Sequence, residues 1–135
     1  MILHICPHPD WDTREGGELR PASLATEGFV HCSDPGTVAL PAGRLYPGRR
    51  DLVLLELDET RLGVPVVWEP GVRDGAVETA GPWFPHVYGP LPDAAVVAVH
   101  PFPPEPDGTF RLPDAVARRG TTKAPTGVRS GPSRW

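Results

Sequence analysis

At 135 residues the chain is long enough for one domain with a modest core of its own. Its formal net charge of −4 gives no reason to expect nucleic acid as a partner, and nineteen prolines with fifteen glycines argue against a helical bundle. No apolar run approaches the roughly 18 residues that cross a bilayer, so no membrane partner is expected.

No charged stretch followed by an apolar one opens the chain. The expected home is a reducing cytoplasm, where Cys6 and Cys32 stay free thiols. Charge is unevenly spread: residues 1–102 hold 7 Lys/Arg against 14 Asp/Glu, and residues 103–135 hold 6 against 3. This divides the chain into an acidic compact domain over 1–102 and an extended, partly disordered Pro/Gly-rich tail over 103–135.

In chain order, "MILHIC" predicts a first strand with Ile2, His4 and Cys6 on one face and Leu3 with Ile5 on the other. "PHPDWDTREGG" predicts a short helix carrying Trp11 and stopped by a glycine pair. "ELRPAS" reads as a brief extended piece, and "SLATEG" as one helical turn ended by Gly28. "FVHC" is a second strand. Ser33-Asp34-Pro35 then suits a helix entry, and that helix carries Val38 and Leu40 inward before Pro41 and Gly43 weaken it.

"DLVLLELD" is a continuous apolar run between aspartates, the pattern of a central strand. "VPVVWEP" is the next strand. "GVRDGAVETAGP" reads as a hairpin turning at Asp74-Gly75, and "WFPHVYGPLP" as an ordered loop because of its prolines. "AAVVAVHPF" closes the strands, and "LPDAVARRG" has the length of two helical turns. With strands dominant and helices early, the fold class is α+β.

Polar residues that interrupt apolar segments carry the functional information. His4 stands between Leu3 and Ile5, His31 and Ser33 end a strand, Glu69 ends another, and His86 with Tyr88 share one side of an extended segment beyond Phe84. Singly, each also fits a structural role: a hydrogen-bonded core histidine, a helix cap, a solvated carboxylate, an aromatic corner. Their joint placement at the ends of several segments is the pattern of a cleft. His4, Cys6, His31, Cys32 and His86 are metal-ligating types, yet no Cys-x-x-Cys or His-x-x-x-His spacing occurs, and no metal is expected. The lack of a Gly-x-Gly-x-x-Gly or phosphate loop excludes a Rossmann or P-loop site.

The phrases "LHIC…DW", "LRPASLATEGFVHCS", "DLVLLELD…RLG", "VVWE" and "FPHVYGPLPDAAVVAV" resemble, in this order, the domain of unknown function 952 family of small bacterial proteins. The resemblance runs from about Ile2 to Pro101. "TVALPAGRLYPG" departs from it, where the family's pattern has a longer helix with aromatic residues. The resemblance implies a compact ADP-ribosyltransferase-like split β-sheet with two or three short helices. It also implies a cleft for NAD or a related nucleotide, held as a substrate and not as a tightly bound cofactor. On that likeness His4, Glu69 and His86 are the catalytic candidates, and His31, Ser33, Phe84 and Tyr88 bind the substrate.

The chemistry suits those residue types. Breaking a ribosyl–nicotinamide bond builds positive charge on the sugar, which a fixed carboxylate stabilises most in the transition state. Two other readings use the same residues: an acid–base enzyme acting on a small molecule of a dedicated pathway, and a non-catalytic binding module.

Overall fold

A computed structural model describes residues 1–73 and 75–123. In chain order it contains β1 (Ile2–Pro7), α1 (His8–Asp12), β2 (Glu18–Leu19), α2 (Ala22–Thr26), β3 (Val30–His31), α3 (Ala39–Leu45) and β4 (Leu52–Leu57). After a 3-10 turn at Glu59–Arg61 come β5 (Val66–Pro70), β6 (Val72–Arg73), β7 (Ala76–Val77), β8 (Trp83–Val87) and β9 (Leu91–Pro92). A second 3-10 turn, Asp93–Ala95, leads into β10 (Val96–Pro101), and α4 (Asp114–Lys123) follows.

β4 is the middle of a three-stranded antiparallel sheet, with β1 and β10 on its sides, and all six of its residues are buried. A strand covered on both faces carries apolar residues on both, which is why "LVLL" runs without alternation; its one buried carboxylate, Glu56, is answered by His100 Nε2 at 2.9 Å. Ile2, Cys6, Val53, Leu55 and Leu57 face one core; Leu3, Ile5, Leu52 and Leu54 face another. Each leucine fully buried there contributes about 1.5–3 kcal/mol.

The second three-stranded sheet has β8 between β3 and β5, again antiparallel. One of its faces sends Val30, Cys32 and Val87 into the first core, with Val66 and Trp68 packed against it. Alternation puts His31, Phe84, His86 and Glu69 on the opposite face. The two sheets meet through one residue pair. Leu3 N–H donates to the Ser33 carbonyl at 2.8 Å, and Ser33 N–H returns the bond to Leu3 at 2.7 Å. The segment after β3 therefore crosses from one sheet to the other.

Four expectations need correction. "WFPHVYGPLP" is not a loop: it supplies β8, a central strand, and β9. Proline is tolerated at position 85 because Cys32 N–H still donates to its carbonyl at 3.2 Å. Only the reciprocal bond of that pair, which proline cannot make, is lost. The helix expected at Ser33-Asp34-Pro35 starts later, at Ala39, because Asp34 closes a turn by accepting Gly36 N–H at 2.7 Å. Leu40 points outward and is 45% exposed, whereas Val38 is buried as expected.

The fourth correction concerns the domain boundary. Phe110 and Val116, in the stretch assigned to the tail, are buried in the second core beside Phe102. Two isolated apolar residues suffice there because β1 and β4 already present a prepared apolar face. Asp74 of the expected turn and residues 124–135 of the expected tail lie outside the described residues; Gly75, at φ +80°, sits between the paired strands β6 and β7. Both cysteines are free and buried, and among the described residues no helix is long and apolar enough to cross a membrane.

Two substitutions test this packing. A Cβ on Gly89 would stand 2.6 Å from Val64 Cγ1, so Gly89→Ala should destabilise by about 1–3 kcal/mol. Phe110→Ala should cost about 3–5 kcal/mol if the segment beyond residue 102 belongs to the core. Urea denaturation of both variants checks this, and a wild-type midpoint for Phe110→Ala would place that segment outside the cooperative unit.

Candidate functional site

Where the two sheets splay apart, an open groove of about 1210 Å³ is lined by His4, His31, Ser33, Phe84 and His86, together with residues of α1, β2, α3 and the β6–β7 hairpin. Five of the seven residues singled out from the sequence thus reach one concavity. Glu69 and Tyr88 do not line it. Glu69 is the cross-strand partner of Phe84 and shares its sheet face with His86, and there Glu69 Oε1 accepts the Tyr88 hydroxyl and the His86 Nδ1–H, each at 2.7 Å.

His4 projects from β1 toward the crossing segment, and its Nδ1–H donates to the His31 carbonyl at 2.8 Å. Burial pushes its pKa down to about 4, against the opposing effect of that bond. The ring is neutral near pH 7, and with Nδ1 protonated its Nε2 carries a lone pair. That nitrogen has no hydrogen-bond partner among the described residues.

His86 is also buried, and burial lowers its pKa although the bond to Glu69 pulls the other way. The Tyr88 hydroxyl, and after it His86, holds the Glu69 carboxyl below its ordinary range; the same bond raises Tyr88. Glu69 therefore fixes the tautomer of His86 from the neighbouring strand.

Two residues escaped the sequence reading. Glu27 lines the groove and its Oε2 accepts from His31 Nε2 at 3.0 Å. Phe29 stacks on His86 with ring centroids 4.0 Å apart and meets His31 edge-on at 4.8 Å. The signal was Gly28, whose φ of +92° reverses the chain after α2 and swings Glu27 alongside the strand. His31 and His86 are cross-strand partners, with rings 5.5 Å apart. Cys32 packs into the first core, and burial raises its thiol pKa; that of Cys6 is pushed up to about 12. Neither is a thiolate near neutral pH, which argues against cysteine nucleophilic catalysis. No cluster of three His, Cys, Asp or Glu side chains suited to a metal occurs among the described residues.

The fold and groove define a small mixed α/β domain with a histidine-lined cleft between two antiparallel sheets. The family model described as "Protein of unknown function (DUF952)" matches residues 5–99, and the chain belongs to that family. It is similar to the crystal structure of protein CC0527 from Caulobacter crescentus, at 30% identity and a TM-score of 0.70, over 86% of this chain and 97% of that one. The solution structure of CC0527 gives 28% identity and a TM-score of 0.66, over 87% and 97%. No curated protein matches the chain.

The buried neutral His4 makes the fold acid-sensitive. Its folded pKa of about 4 lies below the ordinary 6.5, so the unfolded chain binds the extra proton first. Stability should be fully present above about pH 6.5 and fall by roughly 3 kcal/mol as the pH drops toward 4. Urea midpoints across that range check it, and His4→Gln should flatten the slope.

Proposed function

We propose that the protein is a small cytoplasmic enzyme of ADP-ribosyltransferase-like architecture that cleaves NAD or a related nucleotide in this groove. The observation that carries the reading is His4: a neutral imidazole on a rigid strand, at the join of the two sheets, lining the groove with its Nδ1–H already spent and Nε2 left to accept. A ribose hydroxyl donates to such a nitrogen at no cost in charge burial. Phe84 offers an aromatic surface to a flat ring.

In the reaction the glycosidic C–N bond of NAD breaks and its electron pair leaves with nicotinamide. Positive charge develops on the ribose, and the groove carboxylate suited to stabilise it is Glu27 rather than Glu69. His31, hydrogen-bonded to Glu27, takes the proton of the attacking acceptor as the new bond to the ribose carbon forms. Glu69 serves by holding His86 in one tautomer.

The alternative, an acid–base enzyme on a small molecule, is favoured by a different feature. Two imidazoles in one site are each held by a carboxylate, Glu27–His31 and Glu69–His86, an arrangement suited to proton transfer without ribosyl chemistry.

Calorimetry with NAD and a nicotinamide-release assay separate the two. Wild type should bind NAD, and His4→Ala should weaken binding several-fold, as expected for a lost hydrogen bond of about 0.5–1.5 kcal/mol. Glu27→Gln should keep binding and slow release. No heat with millimolar NAD, and no release over a day, would reject ribosyl transfer and leave the acid–base reading.

A further inference from the structure

The floor of the groove presents hydrogen-bond acceptors. His4, 7% exposed, spends its Nδ1–H on the His31 carbonyl and turns an unpartnered Nε2 to the groove. His86, 2% exposed, spends its Nδ1–H on Glu69 and likewise keeps a lone pair on Nε2. Glu27 adds a carboxylate beside them, bonded to the His31 ring. A ligand seated there must bring the donors.

Charge points the same way. Among the described residues the groove is lined by five carboxylates, Asp10, Glu15, Glu18, Glu27 and Glu78, against the three guanidiniums of Arg14, Arg20 and Arg44. Each guanidinium is already engaged: Arg14 with Asp93 at 2.8 Å, Arg20 with Glu18 at 2.6 Å, and Arg44 with Glu78 at 2.9 Å. Asp10 and Glu15 have no ion-pair partner among the described residues. An anionic group at the floor would meet lone pairs and the negative charge of Asp10, Glu15 and Glu27, with every lining arginine already paired to a carboxylate.

We infer that the floor between His4, His86 and Glu27 receives the ammonium or guanidinium group of a small basic molecule. Its N–H groups donate to the two imidazole nitrogens, and its charge answers Glu27 and the acidic rim. The inference rests on the assignment of this groove as the functional site. Within the ribosyl-transfer reading the basic molecule is the acceptor: with NAD bound, His4 Nε2 takes the ribose hydroxyl and the acceptor keeps His86 and Glu27, and its nitrogen, after losing a proton to His31, forms the new bond to the ribose carbon as nicotinamide departs.

Four probes of similar length test it by calorimetry near neutral pH: putrescine, agmatine, butanediol and succinate. Putrescine and agmatine should bind at least roughly tenfold more tightly than butanediol, and succinate should give no heat. Glu27→Gln, a substitution at an exposed site, should weaken agmatine by a similar factor. Agmatine should shift the imidazole nitrogen resonances of His4 and His86, which diffuse attraction to the acidic rim would not do. Binding of succinate as tight as agmatine, equal binding of butanediol and putrescine, no binding by any probe, or undiminished affinity in Glu27→Gln would each overturn the proposal. Retained agmatine binding without nicotinamide release would remove ribosyl transfer alone and leave the cation site standing.

Discussion

Everything at the groove depends on the reciprocal pair of backbone hydrogen bonds between Leu3 and Ser33. They are the point at which the two three-stranded sheets become one framework. Because Ser33 is tied to β1, the preceding residues Val30 and His31 are set at a fixed angle against β8. The His31 carbonyl then falls within reach of His4, and the His31 ring falls beside His86. A buried backbone donor or acceptor left unpaired at this junction would cost about 1–3 kcal/mol, so the crossing is held by necessity as much as by packing.

That framework explains how a polar site survives inside a small apolar domain. His4 is accommodated in the core because its one donor is satisfied and its charge is suppressed by burial. His86 is accommodated because a carboxylate on the neighbouring strand, on the same sheet face, accepts its Nδ1–H, with Tyr88 sharing the same oxygen. Phe29 stacks on the His86 ring. In both cases the protein fixes one imidazole nitrogen and leaves the other to whatever enters.

Much of this was legible in the sequence, and the exceptions have definite causes. β1 and β4 could be read because a strand covered on both sides is apolar on both of its faces, with His4 and Glu56 the exceptions. His4, His31 and His86 could be read because each interrupts an apolar segment. β8 could not, since the penalty for proline depends on which side its missing donor faces, and at position 85 that side borders the departing end of β3. Glu27 was hidden by a backbone conformation at Gly28 that residue type alone does not fix. Glu69 shares the face of Phe84 and His86 but turns its carboxylate to His86 and Tyr88 and stays out of the lining, a pairing that strand position does not give. Phe110 and Val116 showed no periodicity because they fill an existing surface instead of forming one.

The late arrival of those two side chains bears on how the chain is made. Leu3, Ile5, Leu52 and Leu54 are synthesised before the residues that cover them, Phe102, Phe110 and Val116. For most of translation one face of the central sheet lacks its cover, and β4 must wait for β10, some forty residues downstream, to complete its pairing. Long-range pairing of this kind slows folding and lengthens the exposure of sticky surface. A chain ending just before Phe102 would leave the face formed by Leu3, Ile5, Leu52 and Leu54 without its cover, an aggregation-prone fragment rather than a shorter domain.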